Sequence, residues 1–169
     1  MAKFELIVAL CLLSSVAFVA AATTTTAPTF FIVQGRIYCD TCRAGFETNV
    51  TEYISGAKVK VDCTHFSTGK VEHSNSGLTD STGTYTINVV DDHEDETCEV
   101  VLVESPLDKC KEIKVGRDRG QVVLTLDAGM STNVRHANSL GFLRDEPLPI
   151  CDKLLREFYG LAEEELNVL

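Results

Sequence analysis

Alternation of apolar and polar residues is the dominant pattern along the chain. In Ala57-Lys-Val-Lys-Val-Asp-Cys63, Ala57, Val59, Val61 and Cys63 point one way, and Lys58, Lys60 and Asp62 point the other. A period of two belongs to a half-buried β-strand. Phe30 to Tyr38 reads the same way, with Phe31, Val33, Ile37 and Cys39 on one face, and Thr84 to Val90 turns Tyr85, Ile87 and Val89 inward. Cys98 to Val103 and Gln121 to Leu126 are β-branched runs of strand length. Lys111 to Val115 is a weaker strand, with Ile113 and Val115 as its apolar pair. Turn residues punctuate these runs at Ser55-Gly56, Ser67-Thr-Gly69, Asp80-Ser-Thr-Gly83, Gly116 and Asp127-Ala-Gly129. A helical period occurs only at Cys151 to Tyr159, where Leu154, Leu155 and Phe158 suit a short amphipathic helix. Residues 128–150 carry little pattern and read as a long surface connection. The expectation is an all-β domain over residues 30–160: a small six- or seven-stranded β-sandwich or partly closed barrel with a short C-terminal helix.

The segment ahead of this domain reads as an address. Lys3 lies near the start, Leu6 to Leu13 is wholly apolar, and Ala20-Ala21-Ala22 offers the small residues that signal peptidase accepts. This predicts a cleaved signal over residues 1–22 and a loose Thr-rich leader over 23–29. The apolar run is nearly long enough to span a bilayer. Ser14-Ser15 and the Ala-rich end nevertheless favour cleavage over a retained anchor. The last residues, 161–169, read as an acidic tail without the apolar run of a lipid-anchor signal. The expected location is the extracellular space. Charge adds a constraint: 15 Lys and Arg against 25 Asp and Glu leave a net −10, which argues against broad electrostatic binding to nucleic acid or an anionic bilayer.

Seven cysteines become six once Cys11 leaves with the signal: Cys39, Cys42, Cys63, Cys98, Cys110 and Cys151. An even count in a secreted chain reads as three disulfides, with 15 possible pairings. Cys39-Asp-Thr-Cys42 also has the spacing of a redox motif, but no βαβ pattern surrounds it. As half of a zinc site it lacks a second Cys or His pair.

Other chemistry-bearing residues are scattered. Asn49-Val-Thr51 is the sole Asn-x-Ser/Thr sequon and a glycosylation candidate. Asp91-Asp-His-Glu-Asp-Glu96 packs five carboxylates and one histidine into six positions. It lacks the central Gly and closing Glu of a calcium loop, so it reads as a solvated hairpin tip, with weak cation binding or docking to a basic partner as the alternative. Lys109 to Arg119 holds five cations, an ordinary strand-and-turn surface with some capacity for acidic polysaccharide. Asp80 reads as a turn-forming acceptor, with Gly83 supplying a positive φ. His65, His73, His93 and His136 are dispersed, no nucleophile elbow is present, and no cofactor motif appears.

Gln34-Gly-Arg-Ile-Tyr-Cys-Asp-Thr-Cys-Arg43, followed by Ala44-Gly-Phe-Glu-Thr48, resembles the signature of the Ole e I-like family of pollen proteins and allergens. Ile37 stands where Val is commoner. Gly56 to Cys63 follows the family's second block and Pro147-Leu-Pro-Ile-Cys151 its last, so the likeness covers nearly the whole chain after the leader. The resemblance implies a small secreted plant domain, made mainly in pollen, without a catalytic site. It implies bridges from first to fifth, second to sixth and third to fourth cysteine: Cys39–Cys110, Cys42–Cys151 and Cys63–Cys98. Leu78 to Tyr85 is also similar to a turn of transthyretin-like Greek-key sandwiches. The implied function is non-enzymatic: extracellular recognition or a structural role in pollen hydration or tube growth, with a protein receptor or cell-wall component as partner, together with allergen behaviour. A small-molecule carrier with its ligand inside the barrel is the alternative, and a hydrolase or hydrolase inhibitor a more remote one.

Overall fold

The computed structural model describes residues 29–161. The expected signal over 1–22, the leader up to Pro28 and the tail beyond Leu161 lie outside the described residues. Ten strands and one helix follow in order: β1 (Phe30–Asp40), β2 (Glu52–Tyr53), β3 (Lys58–His65), β4 (Val71–Leu78), β5 (Thr84–Val90), β6 (Glu96–Glu104), β7 (Cys110–Glu112), β8 (Arg119–Val122), β9 (Val134–His136), β10 (Leu140–Arg144) and α1 (Cys151–Phe158). The mostly-β class with one short C-terminal helix is as the alternation predicts.

Two sheets face each other. One has the order β4-β3-β6-β8 and is antiparallel throughout. The other is organised around β1, whose 11 residues are long enough to serve four neighbours. Its first half pairs antiparallel with β5 and parallel with β9. Its second half pairs antiparallel with β2 and parallel with β10, and β10 in turn pairs with β7. Every inward residue of the alternating runs is buried: Phe31, Val33 and Ile37 from β1; Val59, Val61 and Cys63 from β3; Tyr85, Ile87 and Val89 from β5. Burying such branched and aromatic side chains contributes about 1.5–3 kcal/mol each. At one seam the sheets nearly touch. Asn75 Nδ2 on β4 donates to the Asn88 carbonyl on β5 at 2.9 Å. A Cβ on Gly77 would lie 2.8 Å from Ile87 Cγ1, so glycine is what allows the approach.

Three disulfides staple this body. Cys39–Cys110 links β1 to β7 across β10, Cys42–Cys151 ties the turn after β1 to the start of α1, and Cys63–Cys98 joins register partners on β3 and β6.

Several expectations change. Residues 128–150 are not a mere surface connection: they contain β9 and β10, with Phe142 fully buried and Leu140 and Leu143 nearly so. Arg135 of β9 is buried as well. Its guanidinium donates to the carbonyls of Val123, Thr125 and Thr132 and lies 4.8 Å over the Phe31 ring, so one side chain gathers the preceding loop onto the core. Lys111 to Val115 yields only β7, and Ile113 and Val115 are exposed rather than an inward pair. The strand expected at 121–126 starts and ends earlier, at Arg119–Val122, and a single 3₁₀ turn begins at Leu126 where the expected strand was to end. Ten strand segments replace six or seven. β2, β7 and β9 are too short to show alternation, and β4 is too polar.

Candidate functional site

The Cys-Asp-Thr-Cys-Arg stretch at the end of β1 is a structural clasp. Asp40 is 2% exposed. Its carboxylate accepts from the Ala44 N–H at 3.0 Å and the Gly45 N–H at 2.6 Å, closing the turn in which Arg43 adopts φ 54°. Thr41 Oγ1 donates to the Val50 carbonyl, and the Thr41 carbonyl accepts from the Leu148 N–H. Arg43 reaches back to grip Glu112 through two nitrogens at 2.7 and 2.9 Å and the Arg144 carbonyl through one of them. That ion pair raises the guanidinium's pKa and lowers that of Glu112. Both cysteines, Cys39 and Cys42, are consumed in bridges, so this turn holds its neighbours in place and carries no thiol chemistry.

Beside the clasp lies a surface cleft of about 220 Å³ whose walls include Tyr38, Asp40, Lys114, Arg117 and Arg119. It gathers three of the five cations noted in the sequence. Burial, reinforced by Asp40 and Glu47, pushes the Tyr38 phenol up to about 12. Arg119 is tied to Asp118 and Glu99 at 3.3 and 3.1 Å. Burial works against the Asp118 charge, but the Gly116 N–H, its own N–H and Arg119 outweigh it and hold the carboxyl low.

A second groove, of about 300 Å³, runs between α1 and the turn carrying Asn49. Asn49 is exposed, and Thr51 Oγ1 accepts from the Thr48 N–H at 2.8 Å. Leu154 and Leu155 are half-buried there. Phe158 is exposed and meets Phe46 with ring centroids 4.7 Å apart.

The acidic stretch Asp91 to Glu96 is only partly the solvated tip that its composition suggests. Asp91, Asp92, Glu94 and Asp95 are exposed, but His93 turns inward to 4% exposure and the Glu96 carboxylate is nearly covered. The reason is geometric. Asp91 takes φ 72°, the His93 N–H donates to the Leu124 carbonyl, and Glu96 opens β6 on the same face as Cys98 and Val100. His73 of β4 joins them, its Nδ1 3.0 Å from Glu96 Oε1. These residues line a cleft of about 330 Å³ with His65, Glu72, Asp92, Glu94 and Asp95. Sequence spacing offered no way to foresee the grouping, since His73 reaches it only through the β4–β3–β6 register. His136 lies elsewhere, on β9.

Asp80 behaves as a turn former. Its Oδ1 accepts from the N–H groups of Thr82 and Thr84 and from the Thr82 hydroxyl, and these bonds lower its pKa. Gly83 at φ 74° follows, where a Cβ would sit 2.8 Å from the Ile37 carbonyl. Among the described residues no helix is long and apolar enough to cross a membrane.

Comparison with known proteins agrees with this architecture. The chain is 56% identical over 127 residues to "Pollen-specific protein C13" of Zea mays, covering 75% of each chain. It is 46% identical over 129 residues to "Pollen allergen Phl p 11" of Phleum pratense, covering 76% of this chain and 90% of the relative. The crystal structure of the major plantain pollen allergen Pla l 1 is similar at a TM-score of 0.65 and 32% identity, covering 72% of this chain and 98% of that one. The sequence model described as "Pollen protein Ole e 1 like" matches residues 29–159. On that match, and on a clasp, sheet pair and helix that span the same residues, the chain belongs to the Ole e 1-like pollen protein family.

Proposed function

We propose that the chain is a secreted, non-enzymatic pollen protein that acts by recognition. A rigid, disulfide-stapled surface docks onto an extracellular receptor or cell-wall component during pollen hydration or tube growth, and the same durable surface makes the protein an allergen. The observation that carries this reading is the filled interior. Phe31, Ile37, Tyr85 and Phe142 of the β1 sheet and Val59, Val61 and Val100 of the other sheet meet at 0–1% exposure, and the three clefts described above open at the surface. Chemistry directed at a partner therefore has to come from outside faces, as in the cationic cleft of Lys114, Arg117 and Arg119. The packed core weighs against an enclosed small-molecule cargo. The pollen and allergen names of the relatives support the setting.

The test is capture from pollen extract by immobilised, oxidised domain, with a reduced and alkylated control. Retention of one specific receptor or wall glycan by the oxidised form alone supports the reading. Equal retention by both forms, no retention, or turnover of a hydrolase substrate contradicts it.

A further inference from the structure

The His73, His93 and Glu96 group has a proton count that a neutral His93 beside an ionised Glu96 does not satisfy. His93 Nε2 lies 3.0 Å from the Val90 carbonyl, which only accepts, so Nε2 carries the hydrogen. In a neutral imidazole Nδ1 is then a bare lone pair, yet it faces Glu96 Oε2, and an ionised carboxylate also only accepts. His73 Nδ1 aims at the same carboxylate, 3.0 and 3.1 Å from its two oxygens. Two ring nitrogens thus converge on one anion, in a place where the His93 side chain is 1% and the Glu96 side chain 6% exposed. The positive charge that this anion calls for comes either from a second proton on His93 or from a cation among the three side chains.

We infer that this is a divalent transition-metal site, with zinc the best-fitting ion. The donor set is two imidazole nitrogens and one carboxylate oxygen, with their ligand atoms all within 4.8 Å of one another. Zinc bonds of about 2.0–2.1 Å to such ligands give a tetrahedral edge of about 3.3 Å. The His73–Glu96 spacing is already near that edge, while the direct His93–Glu96 contact is shorter and has to open to admit the ion. The Val90 carbonyl holding Nε2–H is the outer contact that fixes a metal-binding histidine's tautomer and ring orientation. Three protein ligands leave a fourth position open toward the cleft, for water or a partner's donor. The exposed Asp92, Glu94 and Asp95 around the mouth concentrate cations there. Cys63 and Cys98 also lie within 4.8 Å of His93, but their sulfurs are joined to each other, so they wall the site without ligating. The sheet register enforces the convergence: His73 opposes Cys63 on β3, Cys63 opposes Cys98 on β6, and Glu96 stands two residues before Cys98.

Zinc titration of the oxidised, secreted protein against a chromophoric chelator tests this, with cobalt absorption as a second readout. The expected result is one ion per chain, tetrahedral cobalt bands and a zinc-dependent rise in Tm that chelation reverses. His73 is exposed, so His73→Ala should keep the metal-free Tm while weakening binding by at least about 10-fold. Glu96→Gln should weaken it likewise, and His136→Ala should leave it unchanged. Absence of stoichiometric binding, or equal binding by His73→Ala and the unaltered chain, would overturn the assignment.

Discussion

Replacing Tyr85 with phenylalanine should stabilise the protein. Tyr85 is fully buried between the sheets, and its hydroxyl is the one buried side-chain polar atom among the described residues with no hydrogen-bond partner. The oxygen lies over Gly35, where an added Cβ would come within 2.2 Å of it. Burial alone pushes the phenol far above the ordinary tyrosine range. A buried hydroxyl without a partner costs about 1–3 kcal/mol. Deleting it leaves a void on the order of 10 Å³, which at ~24 cal/mol per Å³ costs only ~0.2 kcal/mol. The net gain is therefore about 1–3 kcal/mol, or a Tm rise of about 3–9 °C for a domain of this size. Calorimetry of the oxidised protein reads the Tm, and guanidinium unfolding with an unchanged m-value reads the free energy. A Tyr85→Phe variant less stable than its parent by about 1 kcal/mol would refute the reasoning, because the hydroxyl would then have to be satisfied.

Other outcomes follow from the same structure. Changing Cys63 and Cys98 together to alanine opens a link of sequence separation 35. It should cost about 2–4 kcal/mol by chemical denaturation, below the full chain-entropy figure because this link is nested inside Cys39–Cys110. A loss under about 1 kcal/mol would speak against the loop-closure account. Asp80 has a folded pKa lowered first by the Thr82 hydroxyl and then by the N–H groups of Thr82 and Thr84. Its stabilising effect is present above the unfolded value of about 3.9 and disappears as pH falls through the folded one. The stability advantage over Asp80→Asn should therefore shrink below about pH 4, and an advantage constant down to pH 2 would contradict this. Asn49 is exposed and we expect it to carry an N-glycan beside the Phe46–Phe158 pair. Glycosidase should lower the mass of the plant-derived protein, and Asn49→Gln should abolish that shift.

The fold was legible where burial is one-sided. β3 and β5 show clean alternation because one face meets the other sheet and the opposite face meets water. Legibility failed where that condition fails. The second half of β1 is buried on both faces, Tyr38 and Asp40 included, so its pattern alone did not announce a central strand with four neighbours. β4 is an exposed strand of Glu, His, Ser and Asn, whose pairing partner rather than its composition makes it a strand. β9 and β10 are short and pair in parallel with β1 over a long separation, a non-local contact without a local signature. The cysteine pairing came from family likeness, because spacing alone left every arrangement open. The metal-ligand group combines these difficulties: one ligand lies on the polar strand, one in a loop and one at a strand start.

The account rests on a body held rigid by three particular cross-links, since a docking surface needs a fixed shape. Peptide mapping of the native protein by mass spectrometry, without reduction and with thiols blocked before unfolding, tests this most directly. The predicted result is three linked peptide pairs, Cys39 with Cys110, Cys42 with Cys151 and Cys63 with Cys98, and no blocked thiol. Blocked free cysteines, or a different set of partners, would contradict it.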